Sequence, residues 1–294
     1  MTLRPWQLSL IVLALCALAL FATFRVRNDQ FSGHDWLFRR LPTDHAVILG
    51  IDVDALRKAG MLEFLAGSRV NEELDYRRFV DQTAFDYRTD LDYIAASLST
   101  TGDAKFFLLK GRFDWGSLFS TAKESGGRCL NAFCDLPGFS SNRNLSFLPV
   151  GPDALGLSIS RFHQAAWTLA KDSTGVPLPR IPDYPVFIAM DGGVLSSNEA
   201  VPAVMQPLSA VLSSADFVVL GITAHAGGRL ELGLDADCMS EATAIAVRNR
   251  VQSLADQTGG FLRLLHDGTV KAEGNSVHAR WPLDRDTLQS LVNP

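Results

Sequence analysis

The feature that most constrains this chain is an order of elements that it spells twice. An apolar strand opens each copy, AVILGIDV (Ala46–Val53) and PVFIAMDG (Pro185–Gly192), and each ends in an aspartate followed by a helical segment. A β-hairpin follows, Tyr93–Arg112 in the first copy and Asp216–Asp237 in the second, with Gly102-Asp103 and Gly227-Gly228 at the tips. Glycine there supplies the positive φ that tight hairpin turns require. RLELGLD alternates, with Leu230, Leu232 and Leu234 on one face. A capped helix comes next in each copy: Asp114 before WGSLFSTAKES, Ser240 before EATAIAVRNRVQSLAD. Each copy closes with two short strands around a turn, LSFLPV–GPDA–LGLSIS and TVKAE–GN–SVHARW, and a short helix, RFHQAAWTLA or RDTLQSLV. The first copy carries an extra helical insertion, Asn71–Phe85.

That pattern predicts an α+β body of two ferredoxin-like β-α-β-β-α-β-β repeats with antiparallel sheets, over 45–170 and 185–294, behind an N-terminal transmembrane helix. Between the repeats, 171–184 has linker composition, with Pro177, Pro179 and Pro182 ahead of Pro185. Whether the two sheets merge is left open by the text.

Ahead of the body lies Trp6–Phe24, 19 residues without a charge. At about 1.5 Å per residue it spans about 28 Å, the hydrocarbon thickness of a bilayer. Ala17 and Ala19 mimic a signal-peptidase site, but the apolar run continues past them, which favours an uncleaved signal anchor over 1–27 with a polar stalk over 28–44. Cys16 lacks the small preceding residue that lipidation needs and reads as part of the apolar helix. Arginines on both sides leave orientation to other signals. Counted alone they lean toward a cytoplasmic body, whereas the signal-like layout and a cysteine pair favour an extracytoplasmic one. The expectation is a single-pass protein of the bacterial inner membrane with its body in the envelope space.

The 294 residues are 47% hydrophobic and 20% charged with a net charge of −5. Such a chain has apolar surface for a packed core, which excludes a disordered polymer, and it lacks the basic field of a nucleic-acid binder.

Cys129 and Cys134, in CLNAFC, are the disulfide candidate, placed in a loop between a helix and the closing hairpin. No second Cys or His pair stands at zinc spacing, and C-x4-C is not the redox spacing. Cys238 reads as a buried thiol. ILGIDVD ends a strand in D-x-D (Asp52, Asp54), the opening of a phosphate-transferring carboxylate site, but the accompanying acidic pair is missing, and Asp54 suits the N-cap of the next helix. Ser120–Lys123 and Ser196–Asn198 match two of three elements of serine acyl-transferases; the third is absent. The six histidines show no helical metal spacing, and no glycine-rich phosphate loop is present.

AVILGIDVDALR, FDYRTDLDYIAASL with the downstream KGRFD, the C-x4-C loop and TVKAEGNSVHARWPL together resemble a family of uncharacterised, signal-anchored bacterial envelope proteins, over most of residues 42–294. The resemblance implies the anchored, duplicated α+β architecture and adds no catalytic residue, cofactor or activity.

The functional expectation is a membrane-anchored, non-catalytic binding or assembly module with a protein partner in the envelope, no cofactor, no metal and no nucleic acid. Two alternatives stand beside it. One is an envelope hydrolase built from dispersed residues, Asp52, Asp54, Asp191 and His225 first. The other is an amphiphile binder, which requires a continuous apolar cavity between a sheet face and its helices.

Overall fold

The computed structural model describes residues 33–63, 74–100, 104–140, 143–175, 177–196, 206–225, 229–256, 265 and 267–283. The expected anchor, the hairpin tips at Gly102-Asp103 and Gly227-Gly228, and the closing helix RDTLQSLV lie outside them. None of the described helices is long and apolar enough to cross a membrane.

The first half opens with β1 (Ala46–Asp52) and α1 (Val53–Lys58). After α2 (Leu74–Thr83) and a short turn of helix, α3 (Tyr87–Asp90), come the hairpin β2 (Leu91–Ser99) and β3 (Lys105–Gly111). Then follow α4 (Trp115–Glu124), the small hairpin β4 (Arg128–Leu130) and β5 (Phe133–Ser140), and β6 (Arg143–Gly151) with β7 (Ala154–Ser160). The second half repeats the plan without the small hairpin. It runs β8 (Val186–Asp191), α5 (Gly192–Ser196), α6 (Gln206–Leu212), β9 (Phe217–His225), β10 (Arg229–Asp237), α7 (Glu241–Ala255), β11 (Thr269–Glu273) and β12 (Ser276–Leu283).

The twelve strands of the described residues form one antiparallel sheet in the order β11-β12-β10-β9-β8-β1-β2-β3-β7-β6-β5-β4. The two sheets therefore merge, through β1 against β8: Ile48 opposite Ala189, Leu49 opposite Ile188, Gly50 opposite Phe187 and Ile51 opposite Val186. The chain from Phe38 onward is one unit.

The ferredoxin-like pairing expected of each half does not form. That arrangement places a parallel neighbour beside the first strand, whereas β1 lies antiparallel to β2, and β8 to β9. The connections explain it. A single helical pass carries the chain to the opposite end of a sheet and sets up a parallel neighbour. Here the described chain between β1 and β2 contains α1 and α2–α3, and that between β8 and β9 contains α5 and α6. A paired helical excursion returns the chain to the end it left. Only the second connection in each half is a single crossover, as in β10–α7–β11, where β12 slots between the two parallel strands.

On the first sheet face, helices complete the core. Ala244, Val247, Val251 and Ala255 of α7 pack in one buried cluster with Leu234, Ala236, Val277, Ala279 and Trp281. These positions recur at spacings of three and four, so one stripe of α7 faces the sheet. The Ser240 hydroxyl caps α7 by accepting from Thr243 N at 3.2 Å. At α1 the cap is Asp52, which accepts from Ala55 N at 2.8 Å, rather than Asp54. The helix starts two residues earlier than its sequence suggested, which leaves Asp54 in the first turn to pair with Lys58.

The second face is covered by short helical turns and irregular chain, Phe38 coming from a helix over Asp35–Arg40. RFHQAAWTLA forms a 3-10 helix, Ala165–Ala170, instead of the expected α-helix; its N-cap Gln164 makes no side-chain cap, and Ala166 N is taken by the Ser146 hydroxyl of β6 at 3.2 Å. Phe38 lies 5.6 Å from the ring of Phe187. The Pro-rich stretch is tied down: Ser173 N donates to Arg39 O at 2.7 Å, and Tyr184 lies across Gly221 and Gly233, where a β-carbon would approach its ring within 2.2 Å and its hydroxyl within 2.4 Å.

Candidate functional site

The carboxylates and histidine of the hydrolase alternative do not converge. The β1–β8 register puts Asp52 and Asp191 at opposite ends of the seam, roughly 20 Å apart at the rise of an extended strand. Asp52 is engaged as a helix cap, and Asp54 pairs with Arg57 at 3.2 Å and with Lys58. His225, at the end of β9, faces Glu231 at 3.8 Å. Ser120 and Lys123 are both exposed on α4, and Asn198 lies outside the described residues. Among the described residues no three His, Cys, Asp or Glu side chains gather as a metal set.

Asp191 lines a cavity of about 440 Å³ shared with Asp44, His45, Pro177 and Phe217. Burial pushes its carboxyl above the usual range, the neighbouring His45 opposes that and Asp44 reinforces it.

Cys129 and Cys134 are joined by a disulfide across the directly opposed positions of β4 and β5. The segment expected as a loop is thus a hairpin of its own. Asn131, at φ 53°, makes the turn, a conformation asparagine tolerates better than most residues.

The most connected polar group escaped the sequence reading. Asp235, buried on the second face of β10, accepts from Tyr184 Oη at 2.7 Å and from Arg280 at 2.9 Å, and lies 2.8 Å from His278 Nδ1. Burial alone would raise its pKa; the bonds from His278, Tyr184 and Arg280 outweigh that and hold it below the usual carboxylate range. Burial and the bond to Asp235 drive the Tyr184 phenol well above its ordinary value. This network holds the Tyr184 segment on the sheet, and its saturated carboxylate leaves little capacity for proton transfer.

The arrangement with capacity for a ligand is apolar. Between α2, α4 and the first face of β3, β5, β6 and β7 lies a cavity of about 310 Å³, at the lower end of small-molecule sites. Strand alternation places Leu109, Leu136, Leu145, Phe147, Leu155 and Leu157 on its floor, and α4 supplies Leu118, Thr121 and Ala122. Phe79 and Phe85 close it from the α2 side, with Phe79 37% exposed. A run of rings borders it: Phe79 to Phe85 at 6.2 Å, Phe85 stacked on Phe113 at 5.2 Å, then Trp115, Phe119 and Phe147 at 5.3, 6.4 and 6.1 Å. The Thr83 hydroxyl in the wall is already used: it donates to Phe79 O at 2.7 Å and accepts from Phe85 N at 3.3 Å. A lining of this kind gains by removing hydrocarbon from water and offers little to a polar ligand. The sequence carried a partial signal in the phenylalanines flanking α2 and α4.

No protein-family model matches the chain, and no curated protein sequence matches it. Among solved structures, crystal forms I and III of TP0453 are similar, each at 11% identity over 89% of this chain and 98% of the other, with TM-scores of 0.48 and 0.49.

Proposed function

We propose that this protein is a membrane-tethered, non-catalytic binding module of the bacterial envelope whose ligand is the apolar chain of an amphiphile. The observation that carries the reading is the cavity beneath α2 and α4, apolar throughout its floor; the uncharged apolar run Trp6–Phe24 supports the tether. The disulfide is in keeping with an oxidising compartment. On this reading 1–27 is the anchor, and 45–170 and 185–294 are a duplication joined by 171–184; of the 28–44 segment expected as a polar stalk, Phe38 and Leu41 are instead buried in the body. Support for duplication comes from the strand order, β1-β2-β3-β7-β6 on one side of the seam and β8-β9-β10-β12-β11 on the other.

The test uses full-length protein purified in mild detergent, with bound acyl lipid extracted and quantified by mass spectrometry. Thr121→Phe, on the α4 wall, fills the cavity. Lipid around the anchor is common to both proteins and cancels in the comparison. The expected result is loss of one acyl lipid per chain in the variant, with thermal stability unchanged or raised. Equal lipid content in the two proteins overturns the reading.

A further inference from the structure

Seven large apolar side chains are exposed among the described residues, and three of them share one corner: Leu130 and Phe162, each 76% exposed, and Trp167, 51% exposed. Leu130 ends the edge strand β4 opposite Phe133, and Phe133 stacks on Trp167 at 5.4 Å with ring planes 10° apart. Phe162 enters the same turn, one residue before His163, whose Nδ1 lies 3.0 Å from Asp135. The corner is braced. The disulfide locks β4 to β5, Arg128 donates to Asp135 at 3.0 Å, and the 3-10 helix is fixed through Ala166 N to the Ser146 hydroxyl. Arg128 and Arg161 are exposed at its border, while the carboxylate among them, Asp135, is buried.

We propose that this corner is a second contact with lipid, apart from the anchor and from the cavity. Leu130, Phe162 and Trp167 enter the boundary between headgroups and acyl chains, and Arg128 and Arg161 lie against anionic headgroups. Three observations favour a bilayer over a protein partner. The exposed area of the three side chains is roughly 400 Å² for groups of this size, about half of what each partner contributes to a standard protein interface. Tryptophan beside arginine is the composition of the headgroup level. The 19-residue apolar segment Trp6–Phe24 supplies the lipid surface against which such a corner would work.

The full chain is reconstituted in vesicles of phosphatidylcholine with phosphatidylglycerol, some carrying acyl chains brominated close to the headgroup. The Trp167 emission is the difference between the native protein and Trp167→Phe. It should lose at least half its intensity to the brominated chains. A Leu130→Ser/Phe162→Ser variant, altered only at exposed positions, should keep the native melting temperature and lose that quenching. An Arg128→Gln/Arg161→Gln variant should reduce quenching about twofold and remove its salt dependence. A Trp167 component that brominated lipid leaves untouched overturns the proposal, as does quenching that persists in Leu130→Ser/Phe162→Ser. Trp167 shielded only when a protein is bound would assign the corner to a protein partner and overturn it equally. Vesicle association without Trp167 quenching would leave the anchor reading standing while removing this one.

Discussion

At the scale of single residues, Asp235 is the side chain on which most depends. It holds a tyrosine, an arginine and a histidine from positions 51, 45 and 43 residues away. Asp235→Asn should destabilise the fold by about 2 kcal/mol at neutral pH, the usual worth of hydrogen bonds to a charged group. Because the folded state holds this carboxyl below its ordinary value, its contribution is complete above the unfolded value near 4 and is lost as pH falls through the folded one. The stability gap between native protein and Asp235→Asn, measured by urea denaturation, should therefore be constant from pH 5 to 7 and close on acidification below about pH 4. Gly221 is the partner position. Its missing β-carbon makes room for the Tyr184 ring, and Gly221→Ala should cost about 1–3 kcal/mol. That cost should largely vanish in a Tyr184→Ala background, which a double-mutant cycle would read directly. The sequence reading found the Leu230–Leu232–Leu234 face but not this network. Alternation reveals which side of a strand is apolar, whereas a buried carboxylate becomes legible only once its distant donors are placed.

Among the elements, those governed by local chemistry were legible and those governed by pairing were not. Ser240 and Asp114 announced their helices, and both cap them. Ser240→Ala should lower stability by about 1 kcal/mol, seen as a shift in denaturation midpoint at unchanged slope. The β4–β5 hairpin was missed because a strand of three residues leaves no periodicity to detect; its cysteines were visible, their cross-strand opposition was not. Replacing both cysteines by alanine closes no loop in the unfolded chain and should cost about 2 kcal/mol, and added reductant should then have no further effect. An apolar cavity between a sheet face and its helices entered the sequence reading only as the requirement of one alternative. Its location depends on how α2 and α4 meet the strands, a tertiary matter. The aromatic corner was overlooked for a related reason: Trp167 and Phe162 read as members of one α-helix, whereas Phe162 precedes a 3-10 helix, Ala165–Ala170, that carries Trp167, and both rings are exposed.

For the molecule as a whole, the seam between β1 and β8 decides the behaviour. Gly50 sits beneath Phe187 at this seam, with space for no β-carbon: one would come within 2.3 Å of the ring. Gly50→Val should loosen the seam and destabilise the body by several kcal/mol, in line with forced overpacking of a buried strand. With one sheet running through both halves, the native body should unfold in a single transition with equal calorimetric and van't Hoff enthalpies, and Gly50→Val should split it into two.

The same seam also settles where the sheet ends. Among the described residues its outermost strands are β4 and β11, three and five residues long, and β11 turns Thr269, Lys271 and Glu273 to solvent. Fibre growth needs a long, bare row of peptide groups as a template, and rims this short are poor ones. The rows best suited to recruiting another chain, those of β1 and β8, are consumed by each other. Severing the chain within 171–184 and separating the pieces would lay both rows open. Each fragment should then self-associate, and mixing the two should restore a soluble pair.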